Sequence, residues 1–83
     1  MMNKEEAVKI IELEDLRGYN LYEDRVDKEK EVVIKSNNGK WSVYVTDERT
    51  SKIVNSEDVY YTETEALEDF IERLRIGKII RTF

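Results

Sequence analysis

The chain holds no histidine and no cysteine in its 83 residues, so the commonest general base and the best nucleophile are both missing. What remains for proton transfer is carboxylates, and the closest pairs are Asp47 with Glu48 and Glu57 with Asp58. Adjacent residues of a strand point to opposite faces, so neither pair converges on one substrate. A chain this short also leaves little room for a cleft that excludes water. There is no calcium-loop spacing and no thiolate or imidazole ligand. The sequence therefore predicts no enzyme, no cofactor and no metal site.

Charge is the more informative chemistry. Nineteen acids against fourteen bases give a net charge of −5, which repels nucleic acid and anionic membranes and attracts basic partners. From Glu57 to Glu72 run seven acids and no base, and from Arg73 to Arg81 four bases and no acid. Acids at a helix start and cations at its end complement the macrodipole, each by about 0.3–1 kcal/mol. The same run also describes an acidic ridge shaped for a basic protein partner, where charge raises association rate and selectivity more than affinity. Four cations in an acidic chain do not make a nucleic-acid footprint. The candidate protein-binding residues are Asp47, Glu48, Glu57, Asp58, Tyr60, Glu63 and Glu65, with Arg49 read as a structural partner for a carboxylate near a strand end. The five tyrosines add a second surface. Tyr44 alternates with Trp41, Val43 and Val45, so it marks the open face of a sheet unless something covers that face.

These residues must be positioned by a small α+β domain. Asn3 with Glu6 is a capping-box-like start, and an apolar stripe through Ala7, Ile10, Ile11 and Leu13 predicts a helix over 4–17 with Gly18 just past its end. Tyr19 to Val26 allows a first strand. The mixed-charge run from Asp24 to Glu31 reads as a solvated loop or a charge-blunted edge strand. Val32-Val33-Ile34, the Asn37-Asn38-Gly39 turn and the alternation over Trp41–Thr46 form a hairpin. Ile53-Val54 resumes the pattern as a third strand, and Val59-Tyr60-Tyr61 continues it past a bulge or forms a separate strand. Thr62 with Glu65 is a second capping box, and Ala66, Leu67, Phe70, Ile71 and Leu74 make a helical stripe over 63–76 that Gly77 ends. The tail 78–83 adds a turn of helix, tucks onto the core or meets a partner. The expected architecture is helix, a three- to four-stranded antiparallel β-meander over 19–61 and helix, as one domain of residues 1–83 with both helices on one face. Trp41, Val43, Val45, Leu67, Phe70, Ile71 and Leu74 are the expected core.

No apolar run approaches the roughly 20 residues of a membrane span, and the opening residues lack a signal-like apolar stretch. With cysteine absent, a cytoplasmic protein is expected.

The stretch Trp41-Ser42-Val43-Tyr44-Val45-Thr46-Asp47-Glu48-Arg49, a variable turn and then Thr62 through Arg75 resemble a family of small bacterial immunity proteins encoded beside polymorphic toxins. Asn3 through Glu12 resembles their first helix, so the likeness covers nearly the whole chain. The tail after Gly77 departs from it. The resemblance implies a non-catalytic, stoichiometric inhibitor that blocks a toxin, with a nuclease the kind of target an acidic ridge suits. A phage-encoded inhibitor of a bacterial defence protein, such as a nuclease effector, is the alternative with the same physics. A self-associating structural or regulatory homodimer using Ile79, Ile80 and Phe83 is the competing class.

Overall fold

The structure is a computed structural model that describes residues 2–81, the last of these by its backbone alone. The elements run α1 (Lys4–Glu14), β1 (Tyr19–Leu21), β2 (Val32–Asn37), β3 (Lys40–Val45), β4 (Asp58–Tyr60) and α2 (Glu63–Arg81), an α+β order. One four-stranded sheet has the order β1-β2-β3-β4.

β2 and β3 form the expected hairpin, in register from Val32↔Val45 to Asn37↔Lys40. Asn38 (φ 53°) and Gly39 (φ 76°) supply its two left-handed turn positions. β4 pairs antiparallel with β3, with Trp41 opposite Tyr60 and Val43 opposite Asp58. The third strand is thus Asp58–Tyr60, and Ile53 and Val54 lie exposed in the loop before it. A single bridge, Thr46↔Lys52, is all that extends the pairing into that loop.

The sheet is mixed, which corrects the antiparallel meander. β1 runs parallel to β2, with Tyr19, Asn20 and Leu21 opposite Val32, Val33 and Ile34. Parallel neighbours cannot be joined by a tight turn and need a crossover. Residues 22–31 provide it without a helix, starting from Tyr22 in the left-handed region (φ 60°). The mixed-charge run is a loop exposed at Asp24, Val26 and Lys28–Lys30, as expected, with Arg25 and Asp27 half-buried and Glu31 turned inward. Glu31 is 3% exposed, and its carboxylate accepts from Arg25 Nη1 and Nη2, both at 3.0 Å, and from the Lys28 amide at 2.6 Å. Thr46, 2% exposed, accepts the Glu31 amide at 2.9 Å and donates to the Lys28 carbonyl at 2.6 Å. The Tyr44 hydroxyl donates to Asp27, and Asn20 donates to the same carboxylate at 3.4 Å. Tyr44 is buried together with Val33 and Asn20, so this loop covers that part of the face expected to be open, while Val59 and Lys35 on the same face stay exposed.

Val32, Ile34 and Val43 point to the opposite face and meet Ala66, Leu67, Phe70, Ile71 and Leu74 of α2, joined by Ala7, Ile11, Leu16 and Leu21. Of the expected core, Trp41 and Val45 are only half-buried, because they stand at the two ends of the sheet. α2 crosses β2, β3 and β4, and α1 packs alongside it. The two helices run in the same direction: Thr64 donates to the Met2 carbonyl at one end, and Arg75 holds Glu14 at the other.

Two helix ends differ from the expectation. α1 stops at Glu14, because Asp15 takes the left-handed conformation (φ 52°) and the amides of Asp15 and Leu16 return to the carbonyls of Glu12 and Ile11. That is a Schellman cap three residues before Gly18, and Leu16 is buried beneath it. α2 passes through Gly77 and ends at Arg81, so the tail adds helical turns up to that residue. The extension is tied to α1: Lys78 donates to the Glu14 carbonyl, and the Arg75 guanidinium grips the Glu14 carboxylate at 2.8 and 2.6 Å. Thr82 and Phe83 lie outside the described residues.

Candidate protein-binding surface

The loop after β3 shows why Asp47 sits where it does. Its carboxylate accepts the amides of Arg49 (2.8 Å) and Ser51 (3.0 Å), a local turn that an Asp favours. Glu48 is exposed and 3.5 Å from Lys30. Arg49 is exposed and its amide, not its guanidinium, serves this turn. Glu57, on the approach to β4, lies 3.1 Å from Lys52.

On β4, Asp58 and Tyr60 share the face toward α2. The Arg73 guanidinium bridges Asp58 at 2.7 Å and Asp69 at 3.1 Å, and donates to the Ser56 carbonyl at 2.8 Å. The Tyr60 hydroxyl donates to the other oxygen of Asp69 at 2.7 Å. That bond, with burial and the Asp69 charge, pushes the Tyr60 phenol up to about 12. These groups therefore fasten the edge strand to α2.

Glu63 and Glu65 open α2. Glu65 forms half of the expected capping box: its amide donates to the Thr62 hydroxyl at 3.3 Å, while its carboxylate accepts that hydroxyl at 2.9 Å and not the Thr62 amide. Glu63 accepts the Tyr22 hydroxyl at 2.8 Å, across a shallow hollow of about 450 Å³ that Trp41 and Lys4 also line. Burial first and this carboxylate second push the Tyr22 phenol well above its usual range. Tyr44 is raised for the same reasons, burial first and Asp27 second.

The seven sequence candidates come from three parts of the fold, with Glu57 on the approach to β4. Asp47 and Glu48 sit on the β3–β4 loop, Asp58 and Tyr60 on the strand edge, and Glu63 and Glu65 at the α2 start. Most of their polar atoms are already engaged. Within the acidic run from Glu57 to Glu72, the carboxylates left over are Glu68 and Glu72, exposed and with no hydrogen bond or ion pair among the described residues. With Glu65 they stand at i, i+3 and i+7, one outward stripe of α2. That spacing was present in the sequence. It was obscured because the whole acidic run, buried-side Asp69 included, carries the same sign.

No group of His, Cys, Asp or Glu among the described residues is placed to hold a metal ion. No described helix is long and apolar enough to cross a membrane.

The chain matches a family of immunity proteins, the class that inhibits toxins. The family is Immunity protein 59, whose model covers residues 2–81, and the chain belongs to it. No curated protein and no solved structure matches.

Proposed function

We propose that the protein is a non-catalytic, one-to-one inhibitor that neutralises a basic toxin domain through the outward carboxylate stripe of α2, Glu65, Glu68 and Glu72. The observation that carries the reading is that Glu68 and Glu72 are exposed and make no hydrogen bond or ion pair among the described residues, in a chain whose family is one of immunity proteins. Exposed helix charges that are not held in an ion pair attract a cationic cleft without first breaking one. A nuclease, whose cleft must be basic to bind its substrate, is the toxin class this stripe suits.

The test is stopped-flow association with the toxin domain encoded by the neighbouring gene, at several salt concentrations. Glu68→Lys and Glu72→Lys should slow association by about tenfold or more at low salt and converge on the native rate at high salt. Their melting temperatures should stay close to the native one, because neither side chain is paired. Salt-independent association, unchanged by the two reversals, contradicts the stripe as the interface.

A further inference from the structure

The two edges of the sheet are finished differently. At β1, the Val32 amide donates to the Gly18 carbonyl and the Tyr22 amide to the Ile34 carbonyl. The backbone of Tyr19 and Leu21 therefore faces away from β2. The crossover closes this edge: Arg25 Nη2 donates to the Tyr19 carbonyl at 3.3 Å, and Leu21 is buried. β4 is the other edge. The two-residue turn makes Asn37 and Lys40 a hydrogen-bonded pair, so the backbone of Lys40, Ser42 and Tyr44 serves β2. That of Trp41, Val43 and Val45 serves the opposite side, where the Val45 carbonyl accepts the Ile53 amide. Trp41 and Val43 lie opposite Tyr60 and Asp58, which leaves the Val59 amide and carbonyl pointing out of the sheet. Among the described residues no strand lies beyond β4 to receive them.

The bare edge runs on into the acidic stripe. Asp69, which accepts the Tyr60 hydroxyl of β4, lies four residues after Glu65 and three before Glu72. That spacing puts all three acids on the β4 side of α2. Glu72 is exposed and makes no hydrogen bond or ion pair among the described residues. On the opposite face of the sheet the Val59 side chain is 48% exposed.

We infer that the β4 edge seats an extended segment of the toxin, which joins the four-stranded sheet as a further strand beside the acidic stripe. The mode is strand addition: main-chain bonds to Val59 attach the segment, and its alternate side chains set selectivity. Those turned toward α2 are Lys or Arg, matched to Glu72 and Glu65. Those turned to the other face are apolar, matched to Val59. A second copy suits the edge less well. Two β4 edges paired together would lay their α2 helices side by side, with the carboxylates of one stripe against those of the other. The inference rests on the reading that the chain binds a toxin, and adds the backbone of β4 to the stripe.

The experiment centres on Val59→Pro. Proline is accepted in an edge strand where its missing amide would face outward, and Asp58 before it is already in a strand. The melting temperature should stay close to the native one. Calorimetric affinity for the toxin domain of the neighbouring gene should fall by about tenfold to a hundredfold, because a main-chain donor is lost. Val59→Ala keeps that amide and should bind more tightly than the proline variant. Val59→Pro combined with Glu72→Lys should lose less than the two separate losses together, since one segment meets both sites. In parallel, amide hydrogen exchange of the native chain is followed by NMR. The Val59 amide should exchange freely in the free protein and slow by about tenfold or more in the complex.

A native complex in which the Val59 amide exchanges as fast as in the free protein overturns the added strand and leaves the inhibitor reading on the stripe alone. A folded Val59→Pro variant that binds as tightly as the native chain does the same. Fully additive losses overturn the single segment spanning edge and stripe. Val59 protection in the free protein that grows with concentration, alongside a doubled mass by light scattering, assigns the edge to a second copy. Failure of the native protein to bind the toxin at all removes the inhibitor reading and the strand with it.

Discussion

Thr46→Val tests whether the 22–31 crossover is a structural layer fastened to the sheet. The two side chains have the same shape, so the change removes a hydroxyl and little volume. Two short bonds disappear, and with them a longer contact to the Glu31 carbonyl at 3.4 Å: the Glu31 amide loses its acceptor at 2.9 Å, and the Lys28 carbonyl loses its donor at 2.6 Å. The first group is buried and left unsatisfied, at a cost of about 1–3 kcal/mol. The second is partly reached by water, so about 0.5–1.5 kcal/mol is appropriate. The sum, about 2–4 kcal/mol, is a large part of the stability of a small domain. Denaturant unfolding should show the loss as a lower midpoint at unchanged slope. Thr46→Ser keeps the hydroxyl and should cost about 1 kcal/mol for the lost methyl. Hydrogen exchange should show protection falling first at the amides of Lys28 and Glu31. If the serine variant costs as much as the valine variant, methyl packing and not the hydroxyl latch holds the loop, and the reasoning fails.

Two further outcomes concern pH. The Tyr60 phenol is raised to about 12 by Asp69, so its neutral form is the one the fold prefers. Its contribution is fully present below the ordinary tyrosine value near 10 and disappears as pH rises through about 12. Alkaline unfolding over that window should therefore be shallower in Tyr60→Phe than in the native chain. At the acid end, the Arg75 hydrogen bond holds Glu14 below its usual carboxylate value. That contribution is present above the ordinary value and is lost as pH falls through the lowered one. Circular dichroism should show α1 loosening on acidification in the native chain, and a flatter acid profile in Glu14→Gln.

The readable elements were those whose signals are local. The stripe from Ala66 to Leu74 and the Thr62–Glu65 box announced α2, and Asn38-Gly39 announced the hairpin. β1 was placed correctly in sequence but not in direction, because alternation with period two is the same for parallel and antiparallel pairing. The crossover is solvated over most of its length, as its charge suggests, and the exceptions are Arg25, Asp27 and Glu31. They are drawn in because they satisfy one another and the backbone, which composition does not reveal. Tyr44 was read as facing outward from the same omission. Gly77 was taken for a stop signal, and only the docking of Lys78 and Arg75 on Glu14 explains why the helix runs on. Among the candidate site residues, Asp58 and Tyr60 proved to be fastenings of β4, whereas Glu68 and Glu72, outside that set, gained interest because they make no hydrogen bond or ion pair among the described residues.

The most direct measurement is the stoichiometry and affinity of the protein with the toxin domain of the neighbouring gene, together with toxin activity at each ratio. The account predicts a one-to-one complex, toxin activity abolished at equivalence, and weakening when Glu65, Glu68 and Glu72 are replaced together by lysine. No complex, or a complex that leaves the toxin fully active, contradicts it.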